Sequence, residues 1–145
     1  MIVYLDASAL VKRYVAEVGS REVNALIAGA SAAGTAAISH AEVASALAKA
    51  VRMRLLSRKE AAAALQLFNS EWESLIRIQL TEVLLSRAAT LAWEQGLRGY
   101  DAVHLAAAHF WQDILGEPVT LASYDRQLWE AAKATGLIAW PESLS

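Results

Sequence analysis

The 145-residue sequence predicts an α/β protein, a three-layer α/β/α sandwich around a short parallel sheet of four to five strands. Two observations carry this. Five short runs, "IVYL" (2–5), "TAAI" (35–38), "LIRIQL" (75–80), "VTLA" (119–122) and "LIAW" (137–140), are apolar without polar alternation, as in a sheet covered on both faces. Between them lie longer segments of helical character, and strand alternating with helix implies parallel crossovers. The length fits a single domain over 1–145 that can bury its own core.

In chain order, the first strand is followed by helical segments at 8–17 and 20–30, the second by 40–55 and 58–74. The third is followed by 82–95 and 101–115, and the fourth by 126–135. Gly96, Gly99, Gly116 with Pro118, and Gly136 fall just after helical segments, where a left-handed residue ends a helix. "SRKE" (57–60) and "SHAE" (39–42) both have the form of a capping box. The segment "DAVHLAAAHFW" is apolar nearly all round, and Val103, Ala106, Ala107, Phe110 and Ile114 share one of its faces.

Composition narrows the function. There is no cysteine, which excludes disulfides and thiolate metal sites and makes a cytosolic home the default expectation. Hydrophobic residues make up 56% and charged residues 19%, yet no run is long enough to cross a membrane, and "MIVYLDAS" lacks the form of a signal peptide. The apolar excess points instead to a buried interface. The five tryptophans, on scattered elements, read as core or interface anchors. The net charge of −2 is not a whole-chain nucleic-acid footprint, although "KAVRMRLLSRK" gathers five basic residues and no acid.

An open parallel sheet binds its ligands outside the carboxyl ends of its strands. Asp6 follows the first strand, Ser39 and Glu42 the second, and Ser123 and Asp125 the fourth; Asp101 opens the helix after "GLRGY". Each acid has a plain structural role open to it. Asp6, Asp101 and Asp125 can cap helices, and Glu42 can close the box begun by Ser39. Together, however, Asp6, Glu42, Asp101 and Asp125 would crowd one crevice and repel. A divalent cation such as Mg²⁺ or Mn²⁺ is the usual remedy for an all-oxygen donor set, and it suits phosphodiester hydrolysis without a covalent intermediate.

Four stretches, "YLDASALVKRY", "ISHAEVASAL", "LRGYDAVHLAAA" and "LASYDRQLW", occur in order across the chain. With them the sequence resembles the PIN-domain ribonucleases, most closely the VapC-type toxins of toxin–antitoxin systems. The resemblance implies that Asp6, Glu42 and Asp101 hold Mg²⁺ or Mn²⁺, that Asp125 completes this catalytic cluster through water or a second ion site, and that Ser8 and Ser123 hydrogen-bond the carboxylates or a metal-bound water. It implies an RNA substrate, an antitoxin covering the crevice, and a homodimer. Ser123 stands where the family frequently has Thr. Lys12, Arg13 and Arg126 are candidate contacts to RNA or antitoxin. His104 reads as a packed, hydrogen-bonded histidine, and His40 and His109 as structural.

Other classes fit less well. A phosphatase forming an aspartyl-phosphate needs a second Asp where Ser8 stands, and "GLRG" is no phosphate loop. A receiver domain needs paired acids after the first strand. A PIN-fold nuclease outside a toxin system and a silent PIN-fold interaction domain remain as alternatives.

Overall fold

A computed structural model describes all 145 residues. Its five strands are β1 (Ile2–Leu5), β2 (Ala32–Ala36), β3 (Ile76–Ile78), β4 (Val119–Ala122) and β5 (Ile138–Trp140). All neighbours pair in parallel, in the order β3-β2-β1-β4-β5. The chain leaves β1 toward β2 on one side and leaves β4 toward β5 on the other, so the connections diverge at the β1–β4 pair. A crevice opens where connections diverge in this way.

The helices are α1 (Ala7–Leu10), α2 (Ser20–Gly29), α3 (Ser39–Arg52), α4 (Arg58–Glu71), α5 (Glu82–Gln95), α6 (Gly99–Leu115) and α7 (Arg126–Ala134). They form a layer on each face of the sheet. Successive β1 side chains point to opposite faces, so Tyr4 joins Leu105, Leu121 and Leu128 under α6 and α7. Val3 and Leu5 join Leu10, Val43 and Phe68 under α1, α3 and α4. This is the expected α/β/α sandwich, and because both sheet faces are covered, the strands read as continuous apolar runs.

Several local expectations are corrected. The second strand lies earlier than 35–38. Its register pairs Ile2 with Ala32 and Tyr4 with Gly34, a strand position where Trp111 and the Ile76 carbonyl leave no room for a side chain. The helix expected at 8–17 stops at Leu10 and tightens into a 3₁₀ turn at Val11–Arg13. The last turn expected of α4 is likewise 3₁₀, at Trp72–Ser74.

Gly96 and Gly116 do end helices in the left-handed conformation, whereas Gly99 begins one. The α6 face through Phe110 and Ile114 emerges into solvent at its far end, and Trp93 is 89% exposed, anchoring no core. The box at Ser57 and Glu60 forms as expected. No helix is long and apolar enough to cross a membrane.

Candidate functional site

The carboxyl edge of β1 and β4 gathers the polar residues that the core excludes. Asp6 ends β1 and is 3% exposed. Its Oδ1 accepts the Ala9 N–H at 2.9 Å, capping α1, and the Ser8 hydroxyl at 2.7 Å. Its Oδ2 accepts the buried Ser123 hydroxyl at 2.6 Å from beyond β4. Both serine hydroxyls are used twice: Ser8 also accepts the Tyr124 N–H, and Ser123 the Asp125 N–H. With their protons committed to Asp6, they orient the carboxylate and are not poised as nucleophiles. Burial pushes the Asp6 carboxyl above its ordinary range, and the His104 imidazole and the bonds from Ser123, Ser8 and Ala9 pull it partly back.

Glu42 does not close a capping box. Ile38 is the cap residue of α3, and no side chain bonds there. Ser39, fully buried, turns inward to Thr35 at 2.6 Å. Glu42 is therefore free to point across the crevice, where its Oε1 meets His104 Nε2 at 2.6 Å. His104 Nδ1 in turn meets the Tyr4 hydroxyl at 2.7 Å. A carboxylate only accepts, so Nε2 carries the hydrogen; in the neutral imidazole Nδ1 then accepts from Tyr4. His104 is buried and bonded, as expected, but its bond serves Glu42. Tyr4 was not singled out in the sequence, because inside "IVYL" it is indistinguishable from its apolar neighbours.

Asp101 does not cap α6. The helix begins two residues earlier, with Arg98 as cap residue, and Asp101 lies inside the first turn. Arg98 Nε and Nη2 both reach Asp101 Oδ2 at 3.0 Å, and Nη2 reaches Asp125 Oδ2 at 2.6 Å. Asp125 is held at its other oxygen as well, where Oδ1 caps α7 through the Leu128 N–H at 3.1 Å. Burial raises the Asp101 pKa, with the charges of Asp125 and Asp6 adding to it and Arg98 opposing. These mutual influences mark Asp6, Asp101 and Asp125 as one electrostatic neighbourhood. Arg98 was missed from sequence; the signal was an arginine three residues before the acid in "LRGYD".

No three acidic or histidine side chains stand in the spacing of a preformed metal centre. Each carboxylate instead holds a protein donor, and no buried polar side-chain atom lacks a partner. The donor set nevertheless fits a hard divalent cation. It is all carboxylate oxygen, burial raises the pKa of two of its members, Asp6 and Asp101, and a guanidinium already bridges Asp101 and Asp125.

The outlying candidates are placed as follows. Lys12 bonds the Val18 carbonyl and Glu17 and lies 4.4 Å over the Tyr124 ring. Arg13 spends its guanidinium on Glu71, in a two-point bond, and on Asn24. Arg126 turns to the Leu144 carbonyl and Glu130. None of the three reaches the acids. His40 stacks on Trp72 and bonds Asn69, and His109 bonds Thr135. From the basic segment, Arg52 and Arg58 rim an apolar groove between α3 and α4 floored by Leu47, Val51, Ala61 and Leu65.

The sequence profile of the PIN domain matches residues 3–134. The chain is 38% identical over 144 residues to "Ribonuclease VapC45" of Mycobacterium tuberculosis (strain CDC 1551 / Oshkosh), covering 99% of this chain and 97% of the relative. Among solved structures it resembles PAE2754 from Pyrobaculum aerophilum (TM-score 0.66, 23% identity, 96% of this chain and 89% of the other). It also resembles VapBC2 from Rickettsia felis bound to a DNA fragment from its promoter (TM-score 0.64, 16% identity, 96% and 97%). At these identities the structural likenesses speak to the fold.

Proposed function

Because this chain belongs to the PIN-domain family, we propose that it is a metal-dependent endoribonuclease and the toxin of a toxin–antitoxin pair. The observation that carries the reading is Asp6, a buried carboxylate whose oxygens are oriented by three donors at the point where the sheet's connections diverge. The 38% identity to a named VapC ribonuclease over nearly the whole chain supports the RNA substrate.

Asp6, Glu42, Asp101 and Asp125 would hold Mg²⁺ or Mn²⁺. When bound, such an ion polarises a phosphoryl oxygen and lowers the pKa of water, the chemistry that phosphodiester hydrolysis requires. The protein's part is orientation. Ser8 and Ser123 fix the Asp6 carboxylate, and Tyr4 fixes His104, which fixes Glu42. Asp125 is set by its cap on α7. With both serine protons committed, water is the nucleophile and no covalent intermediate forms.

An antitoxin partner, expected of a VapC-type toxin, is part of the proposal, and the 38% identity to a named VapC ribonuclease supports it. The α3–α4 groove, apolar on its floor and cationic at Arg52 and Arg58, suits an acidic amphipathic segment of that partner. A homodimer is also part of the proposal. The exposed Val83, Trp93 and Ile114 on α5 and α6 supply apolar surface for it.

The test is to map RNA ends after induced expression of wild type and Asp6→Asn. New 5′ ends and growth arrest are expected with wild type alone. Equal cleavage and toxicity from the folded variant would overturn the reading.

A further inference from the structure

Arg98 raises a question that the proposed chemistry leaves open. Its Nη2 sits between Asp101 Oδ2 at 3.0 Å and Asp125 Oδ2 at 2.6 Å, filling the gap between two of the proposed ligands. Hard divalent ions bind oxygen at about 2.0–2.6 Å, closer than this nitrogen sits to Asp101. Asp125 turns Oδ2 toward Arg98, while its Oδ1 accepts the Leu128 N–H at the α7 cap. A metal ion and the Arg98 fork therefore cannot use the same two oxygens together, and their like charges would repel.

The arginine can leave at small cost. Its side chain is 54% exposed, so it enters water without burying an unpaired charge. In the bridging position its guanidinium carbon already lies 4.9 Å over the exposed Tyr100 ring, which can keep hold of it at the rim once the acids release it. The acids cannot easily do without it. Asp101 is 3% exposed, and Asp125 presents a second carboxylate to the same guanidinium nitrogen.

We propose that Arg98 is a built-in counter-cation of the acidic crevice, which bridges Asp101 and Asp125 in the metal-free protein and is displaced when a divalent cation binds. The device would offset part of the crevice's negative charge without metal, and would set the metal concentration at which the site fills. It rests on the metal-site reading given under Proposed function. By linkage, whatever holds Arg98 on the two carboxylates weakens metal binding by the same factor.

The experiment is calorimetric titration of Mn²⁺ into wild type, Arg98→Gln and Arg126→Gln. Melting temperatures of each are recorded in EDTA and in saturating Mn²⁺. Arg126 adjoins Asp125 but bonds elsewhere, so its loss reports the general effect of removing one nearby positive charge. The expected result is Mn²⁺ binding tightened by about 5-fold or more in Arg98→Gln, clearly beyond any change in Arg126→Gln. Arg98→Gln should also melt lower than wild type in EDTA and gain more on adding Mn²⁺. If Arg98→Gln binds no more tightly than wild type, or only as Arg126→Gln does, the displacement is overturned and the metal site stands. If no protein binds Mn²⁺, both the displacement and the metal-site reading fall.

Discussion

Asp6 and Ser123 are 117 residues apart and share a 2.6 Å hydrogen bond where β1 and β4 end side by side. The parallel pairing of those strands, Leu5 opposite Ala122, brings the two residues together. The same serine oxygen accepts the Asp125 N–H, so one buried hydroxyl ties together two of the acids. Ser123→Ala would strip Asp6 Oδ2 of its donor and leave that N–H without an acceptor. The expected cost is about 1–3 kcal/mol of stability by urea unfolding, with Mn²⁺ affinity falling roughly 10–100-fold by calorimetry.

The Tyr4–His104–Glu42 chain makes a separate prediction. Tyr4 and His104 are both buried, and the Tyr4 hydroxyl is the only side-chain partner of His104 Nδ1. Tyr4→Phe keeps the packing and removes that donor. The expected loss is about 1–3 kcal/mol, together with weaker metal binding, because the imidazole that orients Glu42 loses its anchor. Unchanged affinity would show that His104 holds Glu42 without help.

Away from the crevice, Arg13 holds Glu71 at 2.8 and 2.9 Å and keeps its carboxyl below the ordinary value of 4.5, with burial opposing. A carboxyl depressed in the folded state contributes its stability above the unfolded value and loses it as pH falls through the folded one. Glu71→Gln is therefore expected to cost about 1 kcal/mol at neutral pH, as for a partly exposed pair. The gap to wild type should narrow as pH drops below about 4.5. Urea midpoints of the two proteins between pH 3 and 7 check this.

Gly34 tests the fold. A Cβ there would meet the Ile76 carbonyl at 2.9 Å and the Trp111 ring at 3.0 Å. Gly34→Ala should cost about 1–3 kcal/mol through overpacking. Tm should fall by several degrees while Mn²⁺ affinity holds, because β2 carries no acid at this position.

What the sequence made legible follows from what each residue depends on. Asp6 and Asp125 were readable because each ends an apolar run, and in a parallel sheet such runs share an edge. Glu42 was readable as an acid near that edge. Its partner was not, since "SHAE" has the form of a capping box and only the burial of Ser39 against Thr35 frees the glutamate. Arg98 was hidden by the boundary of α6. Once the helix begins at Gly99, Asp101 ceases to be a cap and becomes an ion-pair partner one turn from Arg98. Gly34 was obscured because glycine and alanine in β2 carry little strand signal, and the closeness of Trp111 is a tertiary fact. The exposed Trp93 had no sequence mark to separate it from Trp111, which is buried.

The central claim is that Asp6 belongs to one metal centre with Glu42, Asp101 and Asp125. It is tested most directly by titrating Mn²⁺ into purified wild type and Asp6→Asn, with Tm followed in parallel. Asparagine keeps an acceptor for the Ala9 N–H and removes a buried charge, but it sets an amide donor where Oδ2 accepts from Ser123. The variant should therefore fold with a modest fall in Tm without metal, and affinity is compared only where it is folded. Wild type should bind Mn²⁺ and rise in Tm, reversibly with EDTA. Asp6→Asn should lose more affinity than the roughly 10–100-fold that loss of an outer partner costs. Equal Mn²⁺ affinity in a folded Asp6→Asn would contradict the account.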